Sequence, residues 1–130
     1  MIIVSSTHDP DGIFIPLIER VETLILPYAR NVVMAYTPNT NIETIGALRS
    51  LGFDLVEGGS FNESRLASLK KALANDLTEN SFFSCCFDKM VHWLLNNPHE
   101  FDGIYRKDIH RDVELLGRTK KAWNTYPDSW

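Results

Sequence analysis

Between Ser81 and Leu95 the chain reads SFFSCCFDKMVHWLL: a short apolar run stops at Asp88, and an amphipathic segment begins directly behind it. Phe82–Phe87 has the length and apolar density of a strand covered on both faces. Met90, Val91, Leu94 and Leu95 recur at helical spacing. A buried strand running straight into a helix is the working unit of a parallel sheet, whose strands need crossover connections. The junction therefore lies at the carboxyl end of a strand, where open α/β sheets bind ligands, and it carries one carboxylate, Asp88.

The same rhythm runs through the rest of the chain. Met1–Ser6 (MIIVSS) reads as a strand buried on both faces, followed by the polar turn Thr7–Gly12. From Ile15 to Ala29, Leu17, Ile18, Val21, Leu24, Ile25 and Tyr28 make one helical face, with Pro16 near its start. Asn31–Tyr36 is a second strand. Thr40 with Glu43 forms a capping-box pattern ahead of Ile45, Leu48 and Leu51, and Gly52 is placed to end that helix. Phe53–Glu57 is a third strand, and Gly58-Gly59 a loop. Ser60 with Glu63 repeats the capping pattern and opens a helix through Leu66, Leu69, Leu73 and Leu77. Asn96-Asn97-Pro98 breaks the helix that follows the fourth strand. Phe101–Ile109 reads as a short helix, and Val113–Leu116 as a fifth strand ending at Gly117-Arg118-Thr119. The pattern predicts an α/β fold, a three-layer Rossmann-like open sheet, mostly parallel, with helices on both faces, in one domain.

At 130 residues the chain is long enough to bury a core without cross-links. A net charge of −4 with no basic block gives no footing for a nucleic-acid partner. The two cysteines, Cys85 and Cys86, are adjacent, which argues against a disulfide scaffold. No apolar stretch reaches transmembrane length and no leader pattern opens the sequence, so the expected location is cytoplasmic.

Polar clusters fall at the expected carboxyl ends of strands: Thr7-His8-Asp9, Thr37-Pro38, Gly58-Gly59-Ser60, Asp88 and Arg118-Thr119. In a parallel sheet those ends share one rim. Neither GxGxxG nor GxxxxGK[ST] occurs, so dinucleotide and P-loop readings lack support. Gly58-Gly59 before a capped helix is either a phosphate approach or a flexible turn. Arg65, in the early turns of that helix, is either a bidentate diphosphate ligand or a solvated side chain. The four histidines do not show metal-site spacing, and the cysteine pair lacks the second pair that a structural zinc needs. His8-Asp9-Pro10-Asp11-Gly12 resembles the opening motif of the DHH phosphoesterases, which bind paired manganese ions; no Asp-His-His follows it here.

Taken together, STHDPDG with PLIER, the Ser60–Leu73 helix with Arg65, CCFDKMVHW with NPHEF, and LLGRTKKAWNTYP resemble the nucleotide-binding half of GT-A glycosyltransferases. This is the nucleotide-diphospho-sugar transferase superfamily, and the likeness is to a bacterial group within it. The resemblance implies a nucleotide sugar as ligand, with Thr7, His8 and Asp9 at the nucleoside and Arg65 at the diphosphate. The family's Asp-x-Asp holds Mn²⁺ or Mg²⁺ against the diphosphate; its second aspartate corresponds to Asp88 and its first falls on Cys86, a soft donor. Where the family often reads the nucleoside with an acidic residue after the second strand, this chain has Tyr36-Thr37-Pro38. Asp112 and Glu114 are the nearest acidic residues for a general base. The chain ends at Trp130, where the family's acceptor half normally follows, so the expectation is a fragment or a short relative without transfer. The alternative to an enzyme is a non-catalytic nucleotide-binding or interaction module, with Trp123, Tyr126 and Trp130 covering a partner or a second copy in a homo-oligomer.

Overall fold

The computed structural model describes residues 1–75 and 81–107. Strands β1 (Ile2–Thr7), β2 (Val32–Tyr36), β3 (Asp54–Glu57) and β4 (Phe82–Cys86) form one sheet in the order β3-β2-β1-β4. All three pairings are parallel. Helices α1 (Ile15–Ile25), α2 (Ile42–Ser50), α3 (Phe61–Asn75), α4 (Phe87–Asn96) and α5 (Pro98–Tyr105) complete an α/β, Rossmann-like open sheet in three layers. Val113–Leu116, Arg118-Thr119, Asp112, Glu114 and the carboxyl-terminal aromatics lie outside the described residues, as does Leu77. Among the described residues no helix is long and apolar enough to cross a membrane.

β1 is central, and all six of its residues are buried. Its odd-numbered side of the sheet carries the larger core. There Ile3 and Met34 pack with Val21 and Ile25 of α1, Leu48 of α2, and Phe87 and Met90 of α4. The even-numbered side carries a smaller core of Ile2, Val4 and Val33 against Ala72 of α3. From β1 the chain steps outward through β2 to β3, then returns along α3 on the opposite face to pair β4 with the free side of β1. The strand order therefore reverses between β1 and β4, and the crevice at such a switch point is where this class of sheet takes its ligands.

Several boundaries differ from the sequence expectation. α1 stops at Ile25 rather than Ala29 because Pro27 has no N–H to continue it, and a single 3-10 turn at Ala29–Asn31 leads into β2. The cap of α2 is Asn41, whose side chain accepts from the Glu43 N–H at 2.8 Å. Thr40, the expected cap, is turned toward Thr37 instead, at 3.2 Å between hydroxyls. Gly52 does end this helix, at φ +89°. Phe87 belongs to α4 and not to the strand before it. Pro98 both closes α4 and opens α5 from its first turn.

The larger surprise is α3. Leu66 and Leu73, expected on its buried face, are 50% and 42% exposed. The residues that meet the sheet are Ser64, Ser68 and Ala72, four apart and nearly inaccessible. Small side chains let this helix lie close to the sheet. At Gly58 a Cβ would stand 2.3 Å from Ser64 Oγ and 2.5 Å from Ser64 Cα, so the approach of α3 itself requires glycine there. The Glu63 half of the expected Ser60–Glu63 capping box forms, the Ser60 N–H donating to Glu63 Oε2 at 2.6 Å. That bond holds the Glu63 carboxyl below its usual range.

α5 is fastened to the end of α1 by Tyr28. Its hydroxyl donates to Asp102 Oδ1 at 2.9 Å, and its ring meets Phe101 and Tyr105 edge-on. Burial, reinforced by Asp102, pushes the Tyr28 phenol up to about 12. The Arg106 guanidinium, together with this hydroxyl, holds Asp102 below the ordinary carboxylate range.

Candidate functional site

At the carboxyl ends of β1 and β4, a cleft of about 390 Å³ opens at the switch point. Ser6, Thr7 and His8 come from β1 and its exit, Ile13 and Phe14 from the loop into α1, and Cys86, Asp88 and Lys89 from the β4–α4 junction. Register makes this meeting unavoidable, because Ser6 pairs with Cys86 across the two strands. The sheet places consecutive side chains on opposite faces, so Ser6 lies on the α3 side and Thr7 on the α1/α4 side.

Ser6 and Thr7 are each only 2% exposed, and neither hydroxyl has a hydrogen-bond partner. Ser5, one residue deeper, shares this condition. Ser64 on α3 is a fourth hydroxyl buried without a partner among the described residues, and Ser6 and Thr7 are the two of these residues that line the cleft. Behind them α4 begins. Its cap residue, Cys86, makes no side-chain cap bond, and the first backbone N–H groups of any helix lack intrahelical partners. This end of the helix favours negative charge.

His8 is exposed at the cleft mouth, but its ring is held: Nδ1 lies 2.7 Å from Thr37 Oγ1, which in turn meets Thr40. Ile13, 65% exposed, provides an apolar lip beside it. Asp88 Oδ2 pairs with Lys89 Nζ at 3.2 Å. Arg65 reaches the cleft rim from α3, Nη2 donating to Cys86 Sγ at 3.6 Å. Cys85 faces away from Cys86 and packs against the larger core, and burial pushes its thiol up to about 12.

Of the residues singled out by sequence, Thr7, His8 and Asp88 thus meet in the cleft, and Arg65 touches it through Cys86. Asp9 points elsewhere. Only 1% exposed, it accepts from the Ile13 N–H at 2.8 Å, the Phe14 N–H at 3.2 Å and the Thr44 hydroxyl at 2.6 Å. Its own carbonyl accepts from Asn41 N–H at 2.8 Å. Asp9 therefore stitches the β1–α1 loop to the start of α2 and sets the lip on which Ile13 stands. The His8–Gly12 turn that resembles the phosphoesterase opening owes its shape to this carboxylate. Tyr36 is half-buried at the end of β2 and does not line the cleft.

A divalent ion fits these residues poorly. Among the described residues Asp88 is the only carboxylate lining the cleft, and it already faces an ammonium, while Cys86 is a soft donor. Among the described residues no group of three or more His, Cys, Asp or Glu side chains is arranged to hold a metal ion.

Ser6 and Lys89 were not singled out by sequence. Both carried a signal: Ser6 is polar within a strand that is otherwise buried, and Lys89 places a cation in the first turn of a helix, the end its dipole disfavours. Comparisons with protein-family models, with curated proteins and with solved structures return no match to this chain.

Proposed function

We propose that this chain is a glycosyltransferase-like domain that binds a nucleotide sugar in the β1/β4 cleft. The observation that carries the reading is the cleft at the β1/β4 switch point, which opens beside the start of α4. A diphosphate supplies acceptors for the helix amides, and its charge suits that helix end. The His8 ring, steadied by Thr37, and the Ile13 side chain form walls for the nucleoside. Arg65 approaches the diphosphate from the α3 side, and the sugar lies toward Asp88 and Lys89. Thr7 and His8 are thus contact residues, and Asp9 acts through the loop it holds. The proposal is one of binding; transfer is a separate property of whatever acceptor site accompanies it.

Cys86 offers a direct test because its thiol lines the cleft. Alkylation with iodoacetamide, followed by peptide mass spectrometry, is expected to modify Cys86 and leave Cys85 unmodified at neutral pH. A UDP- or GDP-sugar that occupies the cleft slows Cys86 modification several-fold. A Cys86 rate indifferent to every nucleotide sugar, with and without Mn²⁺ or Mg²⁺, overturns the reading.

A further inference from the structure

We infer that Lys89, held in place by Asp88, supplies the positive charge that the ligand's phosphates need, so that the cleft takes a nucleoside diphosphate without a divalent cation. This inference rests on the nucleotide-sugar reading above and concerns how that same site neutralises its ligand.

Three observations converge on it. First, Asp88 is the one carboxylate among the described residues that line the cleft, and magnesium held through a single carboxylate takes the rest of its octahedral shell from phosphate and water. The other described side chains that could face a cation there are the Cys86 thiol, a soft donor, and the His8 imidazole. Second, that carboxylate is turned to a different use. Asp88 Oδ2 lies 3.2 Å from Lys89 Nζ, with the two side chains 26% and 27% exposed, so the pair is partly shielded from water and sits in the cleft wall. Third, Lys89 occupies the first turn of α4, where the backbone N–H groups already give positive potential. A phosphate that reaches this end of the helix meets the ammonium and the first amides at once. Asp88 then acts as a positioning residue that holds Lys89 in the cleft wall and gives way in part when a phosphate competes for the ammonium. The first backbone amides of α4 complete a set made only of donors from the chain itself.

The assignment separates cleanly from a metal site by calorimetric titration of the whole chain with UDP and with GDP. Each titration is done once in EDTA and once in Mn²⁺ or Mg²⁺. At least one nucleotide is expected to bind with the same affinity in both. Lys89→Gln is expected to weaken that binding about tenfold, the loss of one charge-assisted contact, and Lys89→Arg to restore most of it. Asp88→Asn is expected to tighten it a few-fold, because the amide oxygen still accepts from the Lys89 ammonium while the competing negative charge is gone. Binding that appears only with the metal, and that Asp88→Asn abolishes, overturns the inference and leaves the nucleotide reading standing. A Lys89→Gln affinity equal to wild type also overturns the inference. Failure of both nucleotides to bind in any condition overturns the inference and the reading it rests on.

Discussion

Phe87→Ala is expected to destabilise the fold by about 3–5 kcal/mol, the range for deleting a buried aromatic ring. Phe87 is fully inaccessible, and its ring meets Phe14 and Phe53 edge-on, with centroids 5.7 and 6.5 Å away. Those partners come from the loop into α1 and from the segment entering β3, so one side chain ties three separate parts of the chain together. It is also the first residue of α4. Removing it leaves a cavity beneath the cleft floor, where close-packed neighbours collapse only in part. Urea unfolding followed by circular dichroism measures the effect as a lower midpoint with an unchanged slope. A loss below about 1 kcal/mol, the scale of a surface change, would show that this ring does not hold the core together.

Asp9→Ala is expected to cost about 2–4 kcal/mol, because it strands several buried donors at once. The N–H groups of Ile13 and Phe14 and the hydroxyl of Thr44 all lose their acceptor. Thr44→Val removes only one of these contacts and is expected to cost about 1 kcal/mol. The two changes are not additive, since they share a bond, and a double-mutant cycle reads that coupling. If Asp9 acted only on a ligand, Asp9→Ala would leave unfolding in the absence of nucleotide unchanged.

The architecture was legible because parallel strands buried on both faces are written as near-continuous apolar runs. MIIVSS and NVVMAY could hardly be anything else once helical patterns separated them. The α3 face was not legible. A helix that packs through Ser64, Ser68 and Ala72 leaves Leu66 and Leu73 outward and brings only Leu69 against the smaller core, so hydrophobic periodicity points partly to the wrong side. Pro27 marks the end of α1 in the sequence, while the apolar pattern continues past it to Tyr28 and Ala29. The Thr40–Glu43 spacing matched a capping box, but Asn41 stands one residue closer to the helix and caps it with a side-chain oxygen.

The site divides along the same physical line. Residues whose place follows from strand register, Thr7, His8 and the Cys86–Asp88 junction, come together because carboxyl ends of adjacent parallel strands must. Asp9 has the same credentials in sequence, a carboxylate at a strand end. Only the conformation of the loop behind it decides that its oxygens turn inward. Lys89 is the converse. Its sequence signal is only a cation in the first turn of a helix, and its pairing with Asp88 in the cleft wall emerges when the cleft is assembled.

The central claim, that the switch point between β1 and β4 is a nucleotide-sugar site, is tested most directly by backbone amide chemical shifts recorded during a titration with UDP- and GDP-sugars. One of these ligands is expected to move the amides of Thr7, His8, Phe87, Asp88 and Lys89 together, along a single saturating curve. Those of α5, around Tyr105, are expected to stay still. Unmoved cleft amides at saturating concentrations of both, or shifts confined to residues away from this junction, would contradict the account.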